Sequence, residues 1–129
     1  MIAKVVRNAV CARAENRCEY CHLNQEDEPF LRYQVEHIIA IQHGGETELD
    51  NLALACPHCN LHKGPNLAGI DPETQLLAPL FHPRKDRWEE HFEMDDTRIV
   101  GLTSIGRTTV RVLAMNMGVR QEFRKNTIQ

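Results

Sequence analysis

The chain has 129 residues, of which 42% are hydrophobic and 26% charged, an ordinary composition for one soluble globular domain. No apolar run approaches the ~18–20 residues that are needed to cross a bilayer, which argues against a membrane partner. Residues 1–7 also lack the apolar core of a signal peptide, so we expect a cytoplasmic location.

The charge distribution leaves the kind of partner open. A formal net charge of −3 offers no general attraction to a polyanion, although phosphate contacts usually dominate the affinity for nucleic acid. Acidic residues are concentrated in residues 26–28, 46–50 and 89–96, whereas the C-terminal tail is basic. Seven histidines add positive charge below neutral pH. Composition alone therefore neither selects nor excludes a nucleic-acid partner.

The first predicted element is a helix over residues 3–16, with Val6 and Val10 on its apolar face. A Cys-x-x-Cys pair, Cys18 and Cys21, follows directly. This tight spacing lets two sulfurs turn toward one metal ion and is typical of a metal-binding knuckle.

A strand–loop–strand–helix unit is predicted next. Residues 30–40 are rich in aromatic and β-branched residues and predict a strand. A turn at residues 43–45 leads toward residues 52–55, a second apolar strand that we expect to run antiparallel to the first. Residues 57–63 predict a short helix, because a proline opens it and the Gly-Pro pair at 64–65 stops it.

The remainder of the chain has no comparable signature. Its pattern predicts a turn at residues 71–74, a helical turn at 83–90 and a hairpin that pairs 92–94 with 98–100. A helix is predicted from Thr103 or Ser104 to Asn116, and Gly118 is positioned to terminate it. We predict an α+β protein of one domain, with a module over residues 1–69 and a C-terminal extension over residues 70–129 packed on it.

Five cysteines raise a choice between disulfides and a metal site. The odd count, the absence of an export signal and the paired spacing favour metal in a reducing compartment. Four thiolates satisfy the tetrahedral preference of zinc and leave no open position, so the paired cysteines predict a structural zinc site. These are Cys18, Cys21, Cys56 and Cys59. Cys11, the unpaired cysteine, is expected to be a buried and inert thiol.

An ordered set of residues lies between and after the two cysteine pairs. It comprises Val35-Glu36-His37-Ile38-Ile39, then Gly44-Gly45, then the stretch from Asp50-Asn51 to Lys63-Gly64. This set closely resembles the motif of the HNH endonuclease family, and the resemblance spans residues 13–65. It implies a small zinc-stabilised, treble-clef-like ββα-metal module, with an additional mixed α/β section that receives no functional residues from the family.

The resemblance implies a role for four residues. His37 takes the position of the general base, and imidazole groups titrate close enough to neutral pH to accept a proton from water. Asn51 matches the middle Asn, which holds the loop between the strands by hydrogen bonds to the backbone. Asn60 occupies the position of the final His, as in the HNN form of the family. Glu36 matches the acidic residue, often Asp, that ligates a divalent ion.

The residue chemistry agrees with a second, catalytic metal. Glu36 and Asn60 offer oxygen ligands that suit Mg²⁺ or Mn²⁺. Alternation along a strand sends Glu36 and His37 to opposite faces, so we expect a bulge or twist at the strand end to bring both to the phosphate. By resemblance, the products carry a 5′-phosphate and a 3′-hydroxyl.

Several neighbouring residues have less defined roles. Lys63 and Arg17 are candidates for phosphate contacts, with ordinary surface charge as the alternative. On a helix, positions 60 and 62 point about 200° apart, so His62 is not expected to share a metal with Asn60. Trp88 is the single tryptophan, and we expect it to pack the second section onto the first.

These residues predict a metal-dependent endonuclease that hydrolyses phosphodiester bonds, with DNA favoured over RNA because the family mostly cuts DNA. The alternative is a zinc-stabilised nucleic-acid-binding module that does not cut, since a fold does not fix chemistry. A protein-interaction domain is a third interpretation, which the acidic balance supports, but it leaves Glu36 and His37 unexplained. The sequence leaves the oligomeric state open.

Overall fold

The structure is a computed structural model and describes residues 2–125. Its helices are α1 (Lys4–Arg13), α2 (Pro57–Lys63), α3 (Trp88–His91), α4 (Ser104–Val112) and α5 (Gly118–Lys125). Its strands are β1 (Gln34–His37), β2 (Leu52–Ala55), β3 (Ala68–Ile70), β4 (Leu77–Pro79), β5 (Phe92–Asp95) and β6 (Arg98–Gly101). The strands pair as small antiparallel hairpins, β1–β2, β3–β4 and β5–β6. The predicted α+β class is confirmed.

The predicted strand–loop–strand–helix unit is also confirmed, although its first strand is shorter than expected. β1 and β2 pair in an antiparallel register that has no bulge and ends with His37 opposite Leu52. The segment before β1 is not a strand, because the Glu28 carboxylate accepts hydrogen bonds from the backbone N–H groups of Phe30 and Leu31. Local bonds of this kind compete with strand pairing for the same backbone groups.

Helix α2 begins and ends where the sequence predicts. Cys56 is its N-cap, and the Cys56 sulfur accepts a hydrogen bond from the Cys59 N–H. Pro57 occupies the first turn, where a helix needs no N–H donor. Gly64 ends the helix with φ +49°, in the left-handed region that glycine adopts without strain. Packed in this way, α2 lies alongside β1.

Two hairpins pack on helix α4 in the C-terminal section. The β5–β6 hairpin is the one that the sequence predicts, whereas the sequence does not predict β3–β4. Thr103 caps α4 as expected, because its Oγ1 accepts the Gly106 N–H at 3.0 Å. A side chain at Gly106 is excluded, since a Cβ there would lie 2.0 Å from the His91 carbonyl oxygen.

The end of α4 differs from the prediction. The sequence predicts a helix to Asn116 with Gly118 as its terminator, but α4 stops earlier and Gly118 begins α5. Ala114 takes the left-handed conformation instead, with φ +49°. Helix α5 is difficult to recognise because two of its inward-facing residues, Arg120 and Arg124, are charged yet only 3% exposed.

Residues of both sections pack together in one hydrophobic core. Trp88 joins the sections, since its Nε1 donates to the Tyr20 carbonyl at 2.8 Å and its ring stacks on His22 at a centroid distance of 4.2 Å. The predicted packing role of Trp88 is confirmed. The division predicted at residues 69 and 70 falls inside β3. Within the described range, no helix is both long enough and apolar enough to span a bilayer.

A buried carboxylate ties the turn after β3 to helix α4. Asp71 is 0% exposed and accepts hydrogen bonds from Arg107, at 3.0 Å from Nε and 2.8 Å from Nη2. This bidentate geometry is the strongest form of a carboxylate–guanidinium pair. Asp71 also accepts the Glu73 N–H, which closes the turn. The hydrogen bonds from Arg107 are the main reason that the pKa of Asp71 lies well below its usual range.

Replacing Asp71 by Asn should destabilise the protein at neutral pH, because the ion pair with Arg107 is lost. Because the pKa of Asp71 is lower in the folded state than the ~3.9 of an unfolded chain, the ionised carboxylate stabilises the fold above that pH. This stabilisation disappears as the pH falls through the folded-state pKa of Asp71. Urea unfolding should therefore show a difference between Asp71→Asn and wild type that shrinks below about pH 4. As a control, Glu73→Gln removes an exposed partner 3.4 Å from Arg107 and should change little. A difference that is independent of pH would contradict the assignment.

Candidate active site and zinc centre

The first cluster of functional side chains is formed by the four paired cysteines. Their sulfur atoms all lie within 4.8 Å of one another, and all four side chains are buried. Backbone N–H groups point at two sulfurs, from Cys21 to Cys18 at 3.5 Å and from Cys59 to Cys56 at 3.3 Å. Four converging sulfurs in a closed site are the donor set of a structural zinc ion, so the residues present fit the metal that the sequence predicts.

The zinc site has a charged neighbour that the sequence did not reveal. Arg120, on α5, donates from Nη2 to Cys59 Sγ at 2.8 Å and to Cys56 Sγ at 3.6 Å. Burial lowers the pKa of Arg120, but the negative charge of the cysteine sulfurs outweighs it and the net shift is upward. A buried cation needs such a partner, and four thiolates around Zn²⁺ carry excess negative charge. The only sequence signal is the spacing of Arg120 and Arg124 at i and i+4, which more often marks a solvated helix face.

Replacing Arg120 by Met should weaken zinc retention, because the charge that offsets the thiolates is lost while much of the side-chain volume remains. Mutation of residues that contact metal ligands typically lowers metal affinity by ~10–100-fold. We therefore expect the variant to release zinc at a chromogenic-chelator concentration about 10-fold lower than wild type requires. Lys125→Met is the matched control, since Lys125 is exposed on the same helix and pairs with Glu122. Equal zinc retention in the two variants would contradict the role assigned to Arg120.

The second candidate region is an open groove between the end of β1 and the C-terminal half of α2. Glu36, His37 and Asn60 all line this groove, so the structure brings these three predicted residues together. A bulge or a twist was expected at the strand end, and the β1–β2 register contains no bulge. Because the groove lies at the point where β1 ends, residues from both faces of the strand reach it.

Glu36 is held from two sides. Its side chain is largely buried, Oε1 accepts a hydrogen bond from the Tyr20 hydroxyl, and Oε2 lies 3.4 Å from Nζ of Lys63. Burial raises the pKa of Glu36, whereas the positive charge of Lys63 and the hydrogen bond from Tyr20 oppose that rise. The carboxylate is therefore a fixed group in the wall of the groove rather than a mobile surface side chain.

Lys63 is not the surface cation that the sequence suggests. It is 2% exposed, and Nζ donates to the Ile38 carbonyl at 2.9 Å in addition to its pairing with Glu36. The last turn of α2 packs on β1 and directs the ammonium group inward, so Lys63 is not exposed for the phosphate contact that the sequence predicts. Lys63 instead ties the end of α2 to the end of β1.

His37 is half-buried and has one polar partner. Its Nε2 lies 2.8 Å from Thr47 Oγ1. The other ring nitrogen, Nδ1, makes no hydrogen bond within residues 2–125 and is therefore the nitrogen available to water or substrate. Thr47 was not found by sequence reasoning, because a threonine in a polar loop gives no indication of which distant side chain it contacts.

Asn51 holds the loop between β1 and β2. Its Oδ1 accepts the Ile39 N–H at 2.9 Å, and its Nδ2 donates to the carbonyl oxygens of Ile39 and Glu46, each at 2.9 Å. These are the backbone hydrogen bonds that the family resemblance implies for this position. Gly45 is required in the same loop, since a Cβ there would lie 1.8 Å from the Ile39 carbonyl oxygen. The Asn51 amide is thus occupied in fixing the loop that carries Thr47.

The amide of Asn60 is available to a ligand. Its side chain lines the groove and makes no hydrogen bond to another residue of the described range. His62 does not line the groove, in agreement with the helix geometry. Arg17 is exposed, donates to the His22 carbonyl at 3.1 Å and also lies outside the groove lining. A phosphate contact by Arg17 stays a prediction.

The fold and the two sites define an α+β module with a four-cysteine centre that fits zinc and a groove that Glu36, His37 and Asn60 line. Residues 18–66 match the family model described as HNH endonuclease, which identifies an HNH endonuclease domain over that part of the chain. No curated protein and no solved structure matched the chain. The matched segment contains both cysteine pairs and the residues of the groove. It indicates a nuclease, a phosphodiester hydrolase whose substrate is nucleic acid.

Proposed function

We propose that this protein is a metal-dependent endonuclease that hydrolyses phosphodiester bonds of DNA, with His37 as the general base. The observation that carries the proposal is the meeting of Glu36, His37 and Asn60 in one open groove. DNA is preferred to RNA because the family that the sequence resembles mostly cuts DNA. The expected products carry a 5′-phosphate and a 3′-hydroxyl.

The donor set of the groove fits a divalent ion. Glu36 supplies a carboxylate, and its two oxygens keep free lone pairs in addition to those that interact with Tyr20 and Lys63. Asn60 supplies an amide oxygen that has no hydrogen-bond partner in the described range. Such hard oxygen ligands suit Mg²⁺ or Mn²⁺. When bound, the ion would stabilise the negative charge that develops on the phosphate. The positive charge of Lys63 beside Glu36 predicts a modest affinity for the ion.

His37 is arranged to accept a proton through Nδ1. The hydrogen bond between Nε2 and Thr47 fixes the ring, so that Nδ1 can take a proton from a water molecule as its oxygen attacks phosphorus. The new P–O bond forms as the bond to the 3′ oxygen breaks, and the leaving oxygen takes a proton from solvent. Asn51 supports this step indirectly. It bonds the backbone of Ile39, two residues after His37, and of Glu46, which directly precedes Thr47.

The charges of the groove favour catalysis over binding alone. Within the described range, the groove lining contains no arginine or lysine, and the adjacent Lys63 is paired with Glu36. A non-catalytic nucleic-acid-binding module depends on basic side chains that contact phosphates. The groove offers metal ligands and a base instead, which is the composition expected of a hydrolytic site.

Replacing His37 by Ala should reduce cleavage by ~10²–10⁴-fold, the usual contribution of a positioned general base. Zinc content and nucleic-acid affinity should stay unchanged, because within residues 2–125 the His37 side chain hydrogen-bonds Thr47 and none of the cysteines. The measurement is nicking of supercoiled plasmid in Mg²⁺, Mn²⁺ or EDTA. His43→Ala is the matched control, since His43 is exposed in the same loop and does not line the groove.

Two outcomes of that assay would change the assignment. Loss of zinc and fold together with activity in His37→Ala would make His37 a structural residue. If folded, zinc-loaded wild type cut neither DNA nor RNA in any metal, the binding module would replace the nuclease.

Replacing Asn60 by Ala should raise the Mg²⁺ concentration needed for half-maximal nicking, because one oxygen ligand is lost. Zinc should be retained, since the Asn60 side chain makes no hydrogen bond to the cysteines in the described structure. The test is a Mg²⁺ titration of plasmid nicking beside metal analysis of the purified variant. His62→Ala, on the same helix but outside the groove, should behave as wild type. Zinc loss in Asn60→Ala would show that the two metal sites are not separate.

A further inference from the structure

One side chain connects the first cysteine knuckle to the catalytic groove. Tyr20 lies between Cys18 and Cys21, is 0% exposed, and donates its hydroxyl to Oε1 of Glu36. Its backbone is fixed as well, because the Tyr20 carbonyl accepts the indole N–H of Trp88 at 2.8 Å. The phenol therefore reaches Glu36 from a position that the zinc knuckle and the C-terminal section both hold.

A comparison with Tyr33 indicates that the contact is more than the satisfaction of a buried hydroxyl. Tyr33 is also buried, at 1% exposed, and its hydroxyl donates to the Leu23 carbonyl at 2.8 Å. A backbone carbonyl is thus a sufficient partner for a buried phenol in this region of the fold. Tyr20 instead bonds Glu36, the carboxylate among the groove-lining residues of the described structure.

The two partners of Glu36 divide its oxygens between them. Tyr20 bonds Oε1, and Lys63, itself anchored on the Ile38 carbonyl, lies beside Oε2. A carboxylate held at both oxygens cannot rotate freely, so its remaining lone pairs keep one orientation toward the groove. Mutation of groups that orient a metal ligand in this way typically costs ~10–100-fold in metal affinity or activity. Of the two partners, only Tyr20 contributes orientation without placing a positive charge beside the ion.

We propose that Tyr20 is a positioning residue for the divalent ion of the groove: it orients the Glu36 carboxylate and thereby links metal binding in the groove to the intact first zinc knuckle. This inference rests on the proposed function, because it takes Glu36 as a ligand of the ion. It assigns Tyr20 no contact with substrate or with the reacting atoms.

The test is Tyr20→Phe, with Tyr33→Phe as the matched control. Each variant loses one buried hydroxyl near the same zinc knuckle, but only the first loses a bond to Glu36. Mn²⁺ binding to the zinc-loaded protein is measured by electron paramagnetic resonance, without substrate. Mg²⁺ dependence is measured separately by plasmid nicking, and zinc by metal analysis.

The expected result is Mn²⁺ binding weakened by about 10-fold in Tyr20→Phe, within the range usual for partners of metal ligands. The Mg²⁺ concentration for half-maximal nicking should rise by a similar factor, while the rate at saturating Mg²⁺ and the zinc content stay near wild type. Tyr33→Phe should change neither metal dependence.

Several results would overturn the inference. Equal Mn²⁺ binding in Tyr20→Phe and wild type would remove the positioning role and leave the nuclease assignment untouched, provided that wild type cuts. Loss of zinc or of folding in Tyr20→Phe would make Tyr20 purely structural. A wild type that neither binds Mn²⁺ nor cuts would remove the proposed function and this inference together.

Discussion

The convergence of four cysteine sulfurs at one buried point is the constraint on which the rest of the structure depends. The strands are three or four residues long, and isolated hairpins of that size are marginal in water. The sulfurs join the first knuckle to the start of α2, and Arg120 brings α5 against them from the other end of the chain. A metal-closed centre contributes folding free energy directly, so it compensates for the short strands around it.

Polar groups buried next to that centre determine the shape of the groove. Lys63 crosses from the last turn of α2 to the end of β1, and its pairing with Glu36 removes both charges from solvent together. Loss of either partner would leave an uncompensated buried charge, which is more destabilising than loss of a surface pair. Asn51 acts in the same way on the next loop, where one amide satisfies three backbone groups. The result is a groove whose walls are held by hydrogen bonds within the protein itself.

Local signals predicted part of this architecture correctly, and their limits are visible in particular elements. Helix α2 was predictable because a proline opens it and a glycine ends it, and β5–β6 because two apolar runs flank a short acidic turn. The β1 strand was predicted too long, since composition does not reveal that Glu28 bonds the backbone ahead of it. Helix α5 was missed because Gly118 is typical of a helix end, and the burial of Arg120 has no local signal.

The sequence by itself determined the chemistry that is available: four cysteines at knuckle spacing, and an ordered Glu36, His37, Asn51 and Asn60. Spacing along the chain is enough for the knuckles because the two cysteines of each pair are near neighbours, whereas the other four residues were recognised by their resemblance to a family motif. Only the tertiary structure decided which partners these groups have. Tyr20 with Glu36, Thr47 with His37 and Arg120 with Cys59 are separated by 16, 10 and 61 residues. Contacts over such separations depend on how the elements pack, which no local pattern of residues specifies.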